Sequence, residues 1–188
     1  MTAGYPSDAA DNSVQANIVS AGYGGSDGVA GGTLTPGSAI SLRATTACCT
    51  TRYIRHQNNV AITSVITSRS PALDKADATW IVRAGLANTS CVSFESENYP
   101  GDFLRHSNFV LYRQPDNGSA LFNSDATFCP QAGKNGQGNS FASSNYPTKF
   151  IRHYNSNVYI ASNGGTNAWD SPTSWTDDVS WAVSPPWA

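Results

Sequence analysis

The chain of 188 residues contains three histidines, and each occupies the same place in a repeated motif. The three copies read YIRHQN, FLRHSN and FIRHYN, and they put histidines at positions 56, 106 and 153. An aspartate follows each histidine after 19 to 25 residues, at the start of the segments DATW, DATF and DVSW. These aspartates are Asp77, Asp125 and Asp178, so the sequence pairs one histidine with one aspartate three times.

A histidine paired with an aspartate suits the recognition of a sugar. A carboxylate accepts hydrogen bonds from two adjacent hydroxyls, and an imidazole nitrogen donates or accepts beside it. An aromatic ring covers the apolar C–H side of the sugar. The candidate ligand-binding residues are His106, Asp125, Tyr99 and Phe109 in the second repeat, and His153, Asp178, Tyr146 and Tyr154 in the third.

The first repeat offers His56 and Asp77 but departs from the other two repeats. Cys49 stands at the position that Tyr99 occupies in SFESENYP and that Tyr146 occupies in SFASSNYP. The aromatic residues that follow the later histidines are also missing. We therefore expect the pocket of the first repeat to be the weakest of the three.

An alternative interpretation is that these residues are structural. The histidines would then bond backbone groups at equivalent turns, and the aspartates would accept from backbone N–H groups two residues further on. An arginine precedes each histidine, so on a strand its side chain is expected on the opposite face, either in an ion pair or with its stem laid on apolar surface. These arginines are Arg55, Arg105 and Arg152. The aromatic residues three positions after each aspartate are expected in the core; they are Trp80, Phe128 and Trp181.

Short runs typical of β-strands surround the motifs, and no segment shows a helical period. RYIRH, VAITSVI and WIVRAG alternate or are rich in β-branched residues, and turn-forming stretches such as PDNG separate such runs. The pattern therefore predicts about four strands in each unit. The three units span about residues 41–90, 91–138 and 139–188. The sequence predicts an all-β fold, specifically a β-trefoil of three four-stranded repeats over residues 36–188.

Residues 1–35 differ in composition from the rest of the chain. SVQANIVSAGY alternates as a single strand does, but this strand has no partner within its own segment. Six of the eleven residues from Gly22 to Gly32 are glycine, which is typical of a linker. We interpret residues 1–35 as a strand remnant of a preceding catalytic domain, followed by a linker.

Charge and composition argue against several classes of function. With 11 Lys and Arg against 13 Asp and Glu, the net charge of −2 argues against nucleic-acid binding through bulk electrostatics. No run of 18 apolar residues predicts a membrane span. The spacing of histidines and cysteines lacks a zinc pattern, so neither a metal nor another cofactor is expected. A monomer is expected.

The four cysteines favour an oxidising compartment. Cys91 and Cys129 bracket the second repeat, and a disulfide between them would pin that repeat. Cys48 and Cys49 are neighbours, which either form a vicinal disulfide or remain reduced. The even cysteine count and the glycosylation acceptor patterns NTS and NGS predict a secreted, extracellular protein.

The segments ISLRATTACCTTRYIRH, SFESENYPGDFLRH, LFNSDATF and SFASSNYPTKFIRH resemble the arabinose-binding domain of AbfB-type α-L-arabinofuranosidases, carbohydrate-binding module family 42. The resemblance covers residues 36–188 and implies a β-trefoil that binds the L-arabinofuranose side chains of arabinoxylan and arabinan. It implies that the repeated histidines and aspartates bind the sugar, and that Cys91 and Cys129 are the family's cysteine pair. SVQANIVSAGYG resembles the end of the catalytic domain in family 54 glycoside hydrolases, so the catalytic domain of a parent enzyme is an expected partner.

Three functions compete. The first is a non-catalytic carbohydrate-binding module that targets an α-L-arabinofuranosidase to hemicellulose. The second is a glycosidase in its own right, with Asp125 and either Glu95 or Glu97 as its two carboxylates; each aspartate is repeated, however, and an active site is seldom tripled. The third is a protein-interaction module, which gives no reason for histidine and aspartate to recur together. The sequence favours the first.

Overall fold

A computed structural model describes residues 33–188, so the strand and most of the linker predicted within residues 1–35 lie outside the described residues. The described part contains twelve β-strands: β1 Ala39–Ala44, β2 Arg52–Gln57, β3 Val60–Val65, β4 Trp80–Ala84, β5 Val92–Ser96, β6 Asp102–Ser107, β7 Val110–Pro115, β8 Phe128–Ala132, β9 Asn139–Ser143, β10 Phe150–Tyr154, β11 Asn157–Ala161 and β12 Trp181–Ser184. The helices are short. Three are α-helices, Ala72–Asp77, Ala120–Asp125 and Trp175–Asp178, and two are 3₁₀-helices, Ala47–Cys49 and Ala168–Asp170. The predicted all-β class is confirmed.

The strands form one antiparallel sheet that closes on itself. The order of hydrogen-bonded neighbours runs from β11 through β3, β2, β1, β12, β9, β8, β5 and β6 to β7, and β7 pairs with β11 again. Ten strands therefore close a barrel, to which β4 and β10 are attached by further pairings. Closure leaves these ten strands without a free edge, which removes the usual site of edge-to-edge aggregation.

This strand pairing shows that the β-trefoil predicted from the sequence is wrong. That prediction divided the chain into three units of four strands, whereas strands of different units are joined edge to edge into one closed sheet. β1 pairs with β12, β4 with β5, and β8 with β9, and each pair joins two units. The sequence repeats show where similar strands recur, but hydrogen bonding between repeats decides how the sheet closes.

Each histidine motif forms the first strand and the turn of a two-stranded hairpin. The hairpins are β2–β3, β6–β7 and β10–β11. Both residues of each turn have positive φ, which a type I′ turn requires and which asparagine tolerates better than most residues. The asparagine of each motif therefore serves the turn. The turn residues are Asn58 and Asn59, Asn108 and Phe109, and Asn155 and Ser156.

The aliphatic residue of each motif lies in the core, and the histidine two positions later shares its face of the strand. Ile54, Leu104 and Ile151 are fully buried. The indole of Trp80 donates to the carbonyl of Ile54 at 3.1 Å, and the third repeat repeats this bond between Trp181 and Ile151 at 3.0 Å. Trp80, Phe128 and Trp181 are fully buried, so their predicted core positions are confirmed.

Two disulfides are present among the described residues. Cys91 and Cys129 are joined beside the pairing of β5 with β8, where Val92 faces Phe128. Cys48 and Cys49 form a vicinal disulfide within a 3₁₀-helix, which decides between the two alternatives left by the sequence.

Within residues 33–188, no helix is long and apolar enough to cross a membrane. The same residues contain no cluster of three or more His, Cys, Asp or Glu side chains that is arranged to hold a metal ion.

Candidate functional site

Each short α-helix ends in an aspartate and packs against the strand that carries the histidine of the same repeat. His56 Nε2 lies 3.3 Å from Asp77 Oδ1. The corresponding distances are 3.5 Å for His106 and Asp125 and 3.5 Å for His153 and Asp178. The predicted pairing of one histidine with one aspartate is therefore present three times, and we call the surroundings of these pairs the first, second and third pockets.

A cavity lies at each pair. The volumes are about 610 Å³ at the first pocket, 240 Å³ at the second and 490 Å³ at the third. Each cavity is open to solvent on one side and has the buried histidine and aspartate in its wall. A group the size of a single sugar ring can enter without rearrangement of the barrel.

An asparagine that the sequence analysis missed joins histidine to aspartate in the first two pockets. Asn98 Oδ1 lies 3.0 Å from His56 Nε2, and Asn98 Nδ2 donates to Asp77 Oδ1 at 2.8 Å. Asn145 makes the same two bonds in the second pocket, at 2.9 Å and 2.7 Å. The sequence carries a signal for them, because both asparagines belong to the repeated Asn-Tyr-Pro segment and directly precede the candidate tyrosines.

These asparagines come from the next repeat along the chain, and so do the tyrosines beside them. Tyr99 lies edge-on to His56, with ring centroids 5.4 Å apart, and Tyr146 lies edge-on to His106 at 5.5 Å. The prediction that grouped Tyr99 with His106, and Tyr146 with His153, is wrong by one repeat. The first pocket has its tyrosine, so the reason given for expecting it to be the weakest does not hold.

Strand pairing between repeats explains this shift. The loop after β5 is held against the start of β4 by a backbone bond from Glu97 N to Thr79 O, at 3.2 Å. Ser144 N donates to Thr127 O at 3.0 Å in the equivalent place after β9. Each loop therefore lies over the short helix and hairpin of the preceding repeat.

The third pocket is completed by the first repeat and is built differently. Thr46 donates its hydroxyl to Asp178 Oδ1 at 2.9 Å and lies 2.8 Å from His153 Nε2, so this threonine replaces the asparagine. The Cys48–Cys49 disulfide lines the cavity where the other pockets have tyrosine. The pocket that lacks the tyrosine is thus the third, although the departure in sequence lies in the first repeat.

Phe109 and Tyr154 lie in the pockets for which the sequence predicted them. Phe109 lines the second cavity and packs edge-on to Tyr146 at 5.4 Å. Its φ of 67° is unfavourable for a bulky side chain, and Asn59 and Ser156 occupy the equivalent turn position in the other repeats. Tyr154 lines the third cavity.

The arginines before the histidines form the expected ion pairs but do not point away from the pockets. Arg105 Nη2 lies 2.5 Å from Asp125 Oδ2, and Arg152 Nη2 lies 2.9 Å from Asp178 Oδ2. Arg55 binds mainly Asp74, at 2.6 Å. All three arginines line the cavities. The prediction that the arginine and histidine side chains lie on opposite faces of the strand is wrong, because both contact the same carboxylate in the second and third pockets.

Burial lowers the pKa of His56, His106 and His153 below the ordinary value, and the neighbouring aspartate, which raises the pKa in each case, does not offset it. The imidazoles are therefore neutral at pH 7. Because Asn98 uses its amide N–H to bond Asp77, its oxygen faces His56 and must accept from Nε2–H. Nδ1 then carries the lone pair.

The alternative carboxylate pair for a glycosidase is not assembled. Glu95 accepts from Arg83 Nε at 2.5 Å and from the backbone N–H of Gly101 at 2.7 Å. Neither Glu95 nor Glu97 lines the second cavity, where Asp125 is the one carboxylate among the described residues. The geometry of the second pocket is that of a hydrogen-bonding site with a single carboxylate.

Comparison with known proteins identifies the family. A family model described as the alpha-L-arabinofuranosidase B (ABFB) domain matches residues 42–183. The chain belongs to the ABFB domain family. A second model, described as the catalytic part of alpha-L-arabinofuranosidase B, matches residues 1–24, so the resemblance found in the sequence is confirmed for both parts of the chain.

Relatives of this ABFB domain chain are longer proteins. A probable alpha-L-arabinofuranosidase B of Aspergillus clavatus is 54% identical over 184 residues, which cover 98% of this chain and 36% of the relative. An alpha-L-arabinofuranosidase of Hypocrea jecorina is 56% identical over 184 residues, which cover 98% of this chain and 37% of the relative. The chain therefore spans just over a third of the length of these relatives.

The fold of the ABFB domain chain is also similar to that of a solved enzyme. The crystal structure of an arabinofuranosidase complexed with arabinofuranosyl-alpha-1,2-xylobiose aligns with a TM-score of 0.82 and 47% sequence identity, and it covers 100% of this chain and 39% of that chain. This match to the arabinofuranosidase supports the closed antiparallel barrel in place of the predicted β-trefoil.

Proposed function

We propose that this ABFB domain is a non-catalytic carbohydrate-binding module that recognises the L-arabinofuranose side chains of arabinoxylan and arabinan. The observation that carries the proposal is the His–Asp pair, which recurs three times, each time bridged by a third side chain and placed in an open cavity. A purely structural histidine would not need a cavity beside it in every repeat.

The hydrogen-bonding capacity of each pocket fits a small polyol. In the second pocket, Asp125 Oδ1 accepts from Asn145 and Oδ2 accepts from Arg105, which holds the carboxylate in one orientation. Each carboxylate oxygen has a second lone pair, so both oxygens can also accept from adjacent sugar hydroxyls.

The aromatic residues supply the apolar part of the site. Tyr146 and Phe109 stand edge-on to each other in the wall of the second cavity, and 42% of the Tyr146 surface is exposed. A furanose ring has one face rich in C–H groups, which an exposed aromatic ring can cover. The smallest cavity, at 240 Å³, is therefore matched to one sugar unit rather than to a long segment of polymer.

The domain is proposed to serve an attached α-L-arabinofuranosidase. Several weak pockets on one body raise the effective concentration of an enzyme on a polymer that carries many side chains. The partners would be arabinofuranose-branched polysaccharides and the catalytic domain of the parent enzyme, and the place of action would be extracellular. The match of residues 1–24 to a catalytic-domain model supports this connection.

Isothermal titration calorimetry tests this proposal with two ligands that differ in one sugar. Arabinofuranosyl-α-1,2-xylobiose is expected to bind, whereas xylobiose, the matched control without arabinofuranose, is expected to give no heat at the same concentration. Equal binding of both sugars, or no heat from either at millimolar concentration, would overturn the proposal.

A second assay separates binding from catalysis. The chain alone, incubated with 4-nitrophenyl α-L-arabinofuranoside, is expected to release no 4-nitrophenol, because hydrolysis needs two carboxylates and the second and third cavities have one each. The first cavity has two, Asp74 and Asp77, but both face the guanidinium of Arg55, at 2.6 Å and 3.9 Å. Turnover by the chain would contradict the non-catalytic function.

A further inference from the structure

Large apolar side chains that remain exposed are few in this domain, and they are not scattered. Within residues 33–188 the exposed ones are Val65, Leu73, Tyr99, Leu121 and Tyr146. Four of these five line the first two pockets in equivalent pairs. Leu73 and Tyr99 line the first cavity, and Leu121 and Tyr146 line the second.

The two leucines occupy the same position in the repeats. Each is the second residue of a short helix and precedes the pocket aspartate by four positions. Leu73 is 62% exposed and Leu121 is 66% exposed, so neither contributes much to the core. An exposed leucine at one helix position is ordinary, but its recurrence at the rim of equivalent cavities needs a reason.

The third pocket lacks both apolar elements. Ser174 stands four positions before Asp178 and lines the third cavity, where the other repeats have leucine. The opposite side carries Thr46 and the Cys48–Cys49 disulfide instead of asparagine and tyrosine. The first and second pockets therefore share a leucine and a tyrosine, and the third pocket has neither at the equivalent positions.

We propose that Leu73 and Leu121, each beside the tyrosine that covers the bound arabinofuranose, form an apolar rim subsite that contacts the sugar unit to which this arabinofuranose is attached. The proposal rests on the proposed function, because it assumes that the arabinofuranose occupies the polar floor. When the hydroxyls of an arabinofuranose branch are bound at the floor of the cavity, the bond that links this sugar to the polymer points out through the mouth. Leu73 and Leu121 are the most exposed apolar side chains of these two cavities, whereas the histidines and aspartates are buried, so the next unit meets the leucines at the mouth.

The chemistry of a xylose unit fits such a rim. A xylopyranose ring presents C–H groups on its faces and directs its hydroxyls outward. Apolar side chains can therefore cover the faces while the hydroxyls keep their hydrogen bonds. A leucine that is about two-thirds exposed gains only part of the transfer free energy of full burial, which corresponds to an effect of about five- to tenfold on affinity.

Calorimetry with two ligands tests the rim directly. In L73S/L121S, which carries the residue found at position 174, the Kd for arabinofuranosyl-α-1,2-xylobiose at the first two pockets is expected to rise about five- to tenfold. The Kd for methyl α-L-arabinofuranoside, which has no second sugar, is expected to stay unchanged. V65S is the matched control, because Val65 is 50% exposed and lines none of the three cavities; both Kd values should be as in the wild type.

The inference is overturned if L73S/L121S weakens both ligands equally, since the leucines would then belong to the arabinofuranose site itself. It is also overturned if neither Kd changes. If the wild-type chain binds neither ligand, the proposed function fails and the rim subsite fails with it, whereas wild-type binding with an unaffected double variant removes the rim subsite alone.

Discussion

Tyr99 lies edge-on to His56, with ring centroids 5.4 Å apart, although 43 positions separate the two residues and they belong to different repeats. The same relationship joins Tyr146 to His106. Each pocket is thus a junction between two repeats, with the histidine and aspartate from one and the bridging side chain from the next. Closure of the barrel by β1 and β12 lets the first repeat complete the third pocket.

The bridging asparagine should matter for stability as well as for binding. In N145A, the buried Nε2–H of His106 and the Oδ1 of Asp125 each lose a partner, so the free energy of unfolding is expected to fall by about 1–3 kcal/mol. Urea denaturation of N145A measures this loss. N157A is the control, since the Asn157 amide makes only a 3.5 Å exposed contact and its removal should change stability by less than about 0.5 kcal/mol. Equal effects of the two variants would contradict the bridging role.

The lowered pKa values of the three histidines predict a dependence of stability on pH. In the unfolded chain these histidines titrate near pH 6.5, whereas burial keeps them neutral to lower pH in the folded domain. Below about pH 6.5 the unfolded state therefore binds more protons, and the free energy of unfolding falls as the pH decreases. Tm is expected to be lower at pH 5.5 than at pH 7.5. A Tm that rises across this interval on acidification would show that the pKa values are raised instead.

The two disulfides should differ in their effect on stability. Cys91–Cys129 closes a loop with a sequence separation of 38, and C91S/C129S is expected to lose about 2–4 kcal/mol. Cys48–Cys49 closes the shortest possible loop, and chain entropy predicts only about 1 kcal/mol for C48S/C49S. Chemical denaturation of both double variants compares them. A larger loss in C48S/C49S would mean that the vicinal disulfide holds the packing around it.

The vicinal disulfide should affect binding at one pocket. In C48S/C49S the third cavity loses the apolar disulfide that stands in the place of tyrosine and gains two hydroxyls, so we expect weaker binding of methyl α-L-arabinofuranoside there, by a few-fold. The first and second pockets contain neither cysteine and serve as internal controls. NMR titration resolves the pockets by their amide signals. Loss at all three pockets would indicate a global change rather than a local contact.

Local patterns in the sequence predicted much of this domain. The all-β class, the buried Trp80 and Trp181 and the meeting of each histidine with its aspartate followed from alternation and from repeat spacing. These features depend on residues within one repeat, where short hairpins and a short helix place the side chains. The pairing of Cys91 with Cys129 also follows the repeat boundaries.

Features that depend on contacts between repeats were not predicted correctly. The closed barrel requires pairings between repeats, such as β1 with β12, which no local pattern records, so the trefoil prediction was wrong. The same pairings move Tyr99 to His56 and give Thr46 to the third pocket. The predicted direction of the Arg105 side chain was wrong. Alternation along a strand fixes the face from which a side chain starts, but a long side chain can bend so that its end reaches the other face.

The central claim is that arabinofuranose binds at junctions between repeats, and residue-resolved NMR tests it most directly. Titration of the ¹⁵N-labelled chain with methyl α-L-arabinofuranoside is expected to shift amide signals in both halves of a junction together. For the second pocket these are the hairpin turn at Phe109 and the loop at Asn145 and Tyr146. Shifts confined to one repeat, shifts remote from the three cavities, or no shifts at millimolar sugar would contradict the account.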